Sequence, residues 1–276
     1  MKSSNGINTS TAFYVSQGTD QPAKEGFLAT AATGSPWGPG SQHGGPPAAL
    51  LTRAIERLDG GPERVVDRVV GRFTMELLGP VPVGPLSVTA SVVRPGRSVE
   101  LCEATLYDDA RGRAVARASA WRFPINGDGP GDLGEPLPHT HRDGEPHDRP
   151  TSWSGGYLDA VEWLWVKGAV MDPGPGLVWM RPSVPLVESE QMSPVQRLMA
   201  CVDSASGVSA ELDPGQWNFI NTELTVHVLR PPLGEWLCLD AQTMLGNGSV
   251  GMATSSVYDE HGLVARSAQA LLIAKR

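Results

Sequence analysis

The chain has 276 residues, a mass of 29.3 kDa and a formal charge of −8. This acidic balance argues against a general nucleic-acid binder, and no apolar run approaches the ~18 residues that a membrane span needs. The three cysteines, Cys102, Cys201 and Cys238, are widely spaced and form no CxxC pair, which predicts free thiols in a reducing, cytoplasmic compartment.

The first half of the chain is predicted to contain one helix followed by strands, after a short strand near Phe13–Val15. Apolar residues recur at i, i+3, i+4, i+7, i+8 and i+11 from Pro47 to Leu58, which is typical of a helix that packs on a sheet, and Gly60-Gly61 ends it. Four strand-like segments follow: Val65–Leu78, Leu86–Val93, Val99–Tyr107 and Ala114–Phe123.

Pro124 to Pro150 differs from the rest of the chain in composition. It holds five Gly, six Pro and three His, with almost no apolar residues, and we interpret it as a linker or long surface loop. His139, His141 and His147 are read as linker residues rather than as a metal site, and the sequence offers no other metal or cofactor motif in its required context.

The second half repeats the pattern of the first. A strand is predicted near Val178–Arg181, and a helix begins at Ser193-Pro194, a good cap followed by a good first residue. Gly207 ends that helix. Four further strand-like segments follow: Phe219–Leu229, Trp236–Met244, Gly251–Tyr258 and Leu263–Ala274.

A nearly constant spacing relates the two halves. Gly84 and Gly234 are 150 residues apart, and Tyr107 and Tyr258 are 151 apart. We therefore predict an internal duplication in which each copy is one helix followed by an antiparallel meander. This is an α+β fold, and a duplicated unit of this kind fits a tandem (double) hotdog, with each antiparallel sheet wrapped round one central helix.

Several short motifs follow one another along the chain in a specific order and spacing. The motifs are Trp37-Gly38-Pro39, His43-Gly44-Gly45, Cys201–Gly207, Phe219–Leu224, His227–Pro232 and Arg266–Gln269. Together they resemble the acyl-CoA thioesterase II family. The resemblance implies two hotdog units, residues 1–125 and 151–276, joined by residues 126–150, with acyl-CoA as substrate and no cofactor.

The resemblance also implies a site for the attacking water. Asp203 matches an Asp of the second hotdog helix, Gln269 matches a Gln of the last strand, and Asn221 stands where the family has Thr. Thioester hydrolysis needs an oriented water, a proton acceptor and a donor to the developing oxyanion. We expect Asp203 at the margin of the buried helix face, where a carboxylate can orient water and accept its proton.

Substrate contacts are predicted from the first half and from a strand end. Gly44 and Gly45 permit close approach of backbone amides to the thioester carbonyl, and His43 would assist. Arg230 is a candidate for a CoA phosphate. The tryptophans of the second half are expected to serve packing rather than the acyl pocket: Trp163, Trp165, Trp179 and Trp217.

The first copy lacks the polar groups of the second. Ala120 stands 149 residues before Gln269, and Arg53 stands 150 before Asp203, which predicts one active site per chain. The alternative is a hotdog that binds acyl-CoA or acyl chains without turnover. A hydratase is disfavoured because no His lies about five residues from Asp203. We expect assembly into a homo-oligomer that binds neither nucleic acid nor membrane.

Overall fold

A computed structural model describes residues 12–21, 24–38, 40–58, 67–125, 136–137, 139–170 and 172–276. Thirteen strands in this part of the chain form one antiparallel sheet, and three helices pack against it. The strands and helices of the first half are β1 Tyr14–Gln21, β2 Lys24–Ala29, α1 Gly45–Glu56, β3 Arg68–Leu77, β4 Pro85–Arg94, β5 Glu100–Asp108 and β6 Arg113–Pro124.

The second half has the same order of elements, with one strand and one helix each divided in two. Its elements are β7 Val161–Lys167, β8 Gly176–Pro182, α2 Pro194–Val202, α3 Ala205–Val208, β9 Trp217–Asn221, β10 Glu223–Val228, β11 Leu237–Leu245, β12 Val250–Asp259 and β13 Gly262–Lys275. Short 3₁₀ turns occur at Ala31–Thr33, His141–Asp143, Thr151–Trp153 and Gly156–Leu158.

The two halves share one strand order, and the pair β3–β10 joins them within the sheet. The order is β1-β2-β4-β5-β6-β3 in the first half and β10-β13-β12-β11-β8-β7 in the second, with β9 also on β13, and β3 pairs with β10. A register shift between Leu106 and Tyr107 recurs between Val257 and Tyr258. These matching irregularities follow the spacing seen in the sequence.

The core lies between the sheet and the helices. α1 contacts β3 to β6, while α2 and α3 contact β8, β11 and β12, and the two long helices contact each other. Leu50, Leu51 and Ile55 of α1 are fully buried, as the helical spacing predicts. The Ser193 cap is confirmed: its Oγ accepts a hydrogen bond from Gln196 N at 3.1 Å, and Pro194 opens the helix.

A buried arginine links the halves next to this helix pair. Arg53 of α1 is 1% exposed and donates to both carboxylate oxygens of Glu25 and to both of Glu190, at 2.7–2.9 Å. Glu190 lies in the connection between β8 and α2. The residue that the sequence aligns with Asp203 therefore serves as a structural ion pair in the first half.

Part of the predicted linker packs against the sheet, which differs from the expectation of a loop without packing. Residues 126–135 and 138 lie outside the described residues, and so does Gly60-Gly61. Leu137 packs on a cluster that includes Trp179 and Cys238. The His141 ring stacks on Trp236 at 5.5 Å, with Nδ1 2.9 Å from Glu260 Oε1.

Most predicted strands are confirmed within a few residues, and three features differ. β2 and β7 were not predicted. The segment Phe219–Leu229 is two strands, β9 and β10, with Thr222 between them. The helix predicted to end at Gly207 is also divided, because α2 ends at Val202 and α3 begins at Ala205.

Candidate active site

Asp203 occupies the break between α2 and α3. It is the C-cap residue of α2, and the residue is only 5% exposed. Its Oδ1 accepts a hydrogen bond from Asn221 Nδ2 at 2.8 Å and another from Gln269 Nε2 at 3.0 Å. The three residues predicted to form the water site are therefore brought together around one carboxylate oxygen.

Gln269 hydrogen-bonds the Asp203 carboxylate from within the core. It is fully buried, its Nε2 also donates to the Asp203 carbonyl at 3.0 Å, and its Oε1 accepts from Ser206 N at 3.2 Å. These bonds tie the end of α2 to the start of α3. Gln269 is not among the described residues that line the adjacent cavity, whereas the sequence predicted a contact between this side chain and the attacking water.

Asn221 reaches Asp203 because strand β9 ends there. Thr222 N donates to Ala270 O at 2.9 Å, and Ala270 N donates to the Glu223 side chain at 2.8 Å, so one extra residue interrupts the ladder on β13. The half-buried Asn221 lines the cavity. One N–H of its amide serves Asp203, which leaves a second N–H and Oδ1 for the cavity side.

His43 comes to the same carboxylate from the first half of the chain. Its Nδ1 lies 3.4 Å from Asp203 Oδ2 and accepts a hydrogen bond from Gly45 N at 3.1 Å. This bond places the ring proton on Nε2. The ring stacks on Tyr157 at 3.8 Å, and burial lowers the pKa of His43 although Asp203 opposes the shift. His43 is therefore a neutral side chain in the cavity wall.

Folding brings His43 close to Asp203, although the two residues are far apart in sequence. The sequence disfavoured a hydratase because no His lies near Asp203 along the chain, and His43 now supplies one. Because Nδ1 already accepts the Gly45 amide proton, no hydrogen bond joins it to the Asp203 carboxylate in this protonation state.

Gly44 and Gly45 allow close approach, but to the second half rather than to a ligand. A Cβ at Gly44 would lie 2.6 Å from Asp203 Oδ2, and one at Gly45 would collide with the carbonyl of Ala200. The Gly45 amide is already donated to His43. The expectation that both glycines present amides to a thioester is thus wrong for Gly45, and Gly44 lines the cavity.

Arg230 is not brought to this site. It donates to both oxygens of Asp259, at 2.5 and 2.8 Å, and does not line the cavity. Burial favours the protonated form of Asp259, but the hydrogen bonds from Arg230, Leu233 N and His261 N outweigh it and lower the pKa of that carboxyl. Arg230 therefore has a structural partner at the strand end.

An aromatic cavity of about 460 Å³ lies in front of Asp203, built by both halves of the chain. Trp163 and Trp165 lie two residues apart on the same face of β7 and line the cavity, which corrects the expectation that they only pack. Trp179 and Trp217 do pack in the core, as predicted. Three aromatic residues whose role in the wall was not predicted are Trp37, Trp153 and Phe219.

The order of the sheet and the position of the cavity define a protein of the hot dog fold class, in agreement with solved structures. These include a hot dog protein from Alicyclobacillus acidocaldarius (TM-score 0.72, 18% identity, 93% of this chain and 95% of that chain). Another is a protein assigned as thioesterase II from Thermobifida fusca YX (0.72, 17%, 96% and 96%). A third is acyl-CoA thioesterase II from Mycobacterium marinum (0.63, 15%, 94% and 94%).

Sequence comparison identifies the family. Residues 33–123 match the N-terminal domain of acyl-CoA thioesterases and residues 138–273 match their C-terminal domain. The chain therefore belongs to the acyl-CoA thioesterase family. Among curated proteins, none matches this chain. None of the helices in the described part of the chain has the length and apolar composition of a membrane span.

Proposed function

We propose that this chain hydrolyses acyl-CoA thioesters to a free fatty acid and CoA. The observation that carries the proposal is the Asp203 carboxylate, held through Oδ1 by two amides at the wall of an aromatic cavity. An apolar cavity with a few convergent polar groups suits an acyl thioester.

The roles follow from which atoms are already bonded. Asn221 offers an N–H and Oδ1 to a water, and Asp203 Oδ2 accepts its proton as the water attacks the thioester carbon. The Nε2–H of His43 is the donor assigned to the developing oxyanion, in place of the Gly45 amide. When the tetrahedral intermediate collapses, the C–S bond breaks and the CoA sulfur takes the proton from Asp203. Gln269 is a positioning residue.

The fold-level proposal is a tandem hotdog with one active site. Residues 1–125 and 151–276 would each be one unit, joined by residues 126–150, and the shared strand order supports this division. In the first half, Ala120 faces Cys102 in the sheet as Gln269 faces Ala253. An apolar residue at the Gln269 position supports catalysis by the second half, with the first half contributing His43.

The test is thiol release from a panel of acyl-CoA thioesters by the purified full-length chain. Asp203→Asn keeps the shape of the side chain but removes the proton acceptor, so turnover should fall by about 10²–10⁴-fold. Asp240→Asn makes the same change at an exposed position of β11 and should leave turnover unchanged.

Three outcomes would contradict the proposal. Full turnover by folded Asp203→Asn would remove the carboxylate from the chemistry. Binding of acyl-CoA without thiol release by the wild type would favour the non-catalytic binding protein. Water addition to a 2-enoyl-CoA without thiol release would favour a hydratase, the reaction that the position of His43 brings back into consideration.

A further inference from the structure

A second cavity adjoins the one in front of Asp203. Its volume is about 240 Å³, and it shares three wall residues with the larger cavity: Trp153, Gly207 and Phe219. Because Trp153, Gly207 and Phe219 line both cavities, the two spaces are neighbours, and these three residues form the boundary between them, here called the constriction.

Two parts of the constriction differ: Trp153 and Phe219 are held by ring contacts, whereas Gly207 has no side chain. Trp37 makes T-shaped contacts with Trp153 and with Phe219, with ring centroids 4.9 and 4.7 Å apart, which holds both rings in place. A Cβ built on Gly207 would meet no heavy atom within 4 Å. The absence of a side chain at residue 207 is therefore what leaves this space open.

The constriction lies close to the reacting group. Gly207 follows Asp203 by four residues, and both residues line the larger cavity. A thioester carbonyl at Asp203 thus has its acyl chain within reach of Gly207 after a few methylene groups. A longer chain has to pass the constriction or turn back.

The chemistry of the second cavity suits the end of an acyl chain. Pro173, Ala210, Leu212 and Pro214 line it, and its one carboxylate, Asp213, is already bonded to Gly215 N at 2.8 Å and Gln216 Nε2 at 3.0 Å. No lysine or arginine is among the described residues that line either cavity.

We infer that medium and long acyl chains thread from Asp203 past Gly207 into the second cavity, and that the absence of a side chain at residue 207 is what admits them. The inference rests on the proposed function for the position of the thioester, but not on turnover. It assigns the substrate class as acyl-CoA with a chain long enough to reach beyond the constriction.

The experiment measures binding of CoA thioethers, which cannot be hydrolysed, by quenching of tryptophan fluorescence. Wild type should bind S-dodecyl-CoA much more tightly than S-butyl-CoA, because each buried methylene adds about 3–4-fold in affinity. Gly207→Val should weaken S-dodecyl-CoA binding by about 10–200-fold and leave S-butyl-CoA binding within about 3-fold. Ala210→Leu, which fills only the second cavity, should show the same selective loss.

Gly38→Ala is the matched control, since Gly38 lines only the first cavity and its added Cβ would lie 3.7 Å from Ser41 Oγ, an ordinary contact. It should affect both thioethers equally. Folded Gly207→Val and Ala210→Leu proteins that lose no more affinity for the dodecyl than for the butyl compound would overturn the inference. So would a wild type that binds both compounds equally. Absence of thiol release from true thioesters would instead refute the proposed hydrolysis.

Discussion

Replacing Gln269 by Met tests how the buried amide holds the active carboxylate. Methionine keeps most of the volume but none of the three hydrogen bonds that Gln269 makes to Asp203 and Ser206. Two backbone groups, Ser206 N–H and the Asp203 carbonyl, lose their side-chain partner. At ~1–3 kcal/mol for each orphaned group, the free energy of unfolding should fall by about 2–6 kcal/mol.

Urea denaturation followed by circular dichroism measures this loss. Gln242→Met is the control, because Gln242 is an exposed residue of β11 and the same change there should alter stability by less than about 0.5 kcal/mol. A Gln269→Met protein with the stability of wild type would refute the reasoning. A second readout is a double-mutant cycle with Asp203→Asn, in which the coupling should reach about 0.5–3 kcal/mol.

Two further changes probe the contact between the halves. Burial lowers the pKa of His43 below 6.5, so near this pH the folded protein binds fewer protons than the unfolded chain. The free energy of unfolding should therefore fall as pH drops below about 6.5, by at most ~1.4 kcal/mol per pH unit. Urea titrations at about pH 7.5 and 5.5 should show a shallower pH dependence for His43→Asn, and an equal slope would contradict this. Gly45→Ala forces a methyl group onto the Ala200 carbonyl and should lower the free energy of unfolding by about 1–3 kcal/mol. Gly207→Ala is the control, because its Cβ lies in open space and should cause no loss of stability. Equal melting temperatures of the two variants in thermal denaturation would rule out the close contact at Gly45.

The strand pattern of the chain was largely predictable because half-buried strands alternate in sequence. β5 is the clearest case, with every second residue buried from Glu100 to Asp108. β2 escaped because Lys24, Glu25 and Gly26 give its first half no apolar signal. The division of Phe219–Leu229 into β9 and β10 at Thr222 could not be predicted either. A bulge changes how a strand pairs with its neighbour but does not change the composition of the strand.

The site was predictable in its members and less so in its geometry. Asp203, Asn221 and Gln269 do meet, but comparison of Gln269 with Ala120, the matching residue of the first half, gave no indication of its contacts. That comparison missed what the residue touches: the Gln269 amide binds a carboxylate and a backbone N–H, and Ala120 can do neither. Burial depth and contacts across the two halves, such as that of His43, depend on tertiary packing.

The cavity is assembled within one molecule, because His43 and Gly44 come from the first half of the chain and Asp203 from the second. Covalent connection holds the second half at an effective local concentration that does not change when the protein is diluted. Association of the halves therefore carries no mass-action penalty. Fractional assembly of the cavity is the same at nanomolar as at micromolar protein, which two separate chains joined by the same strand pair could not achieve.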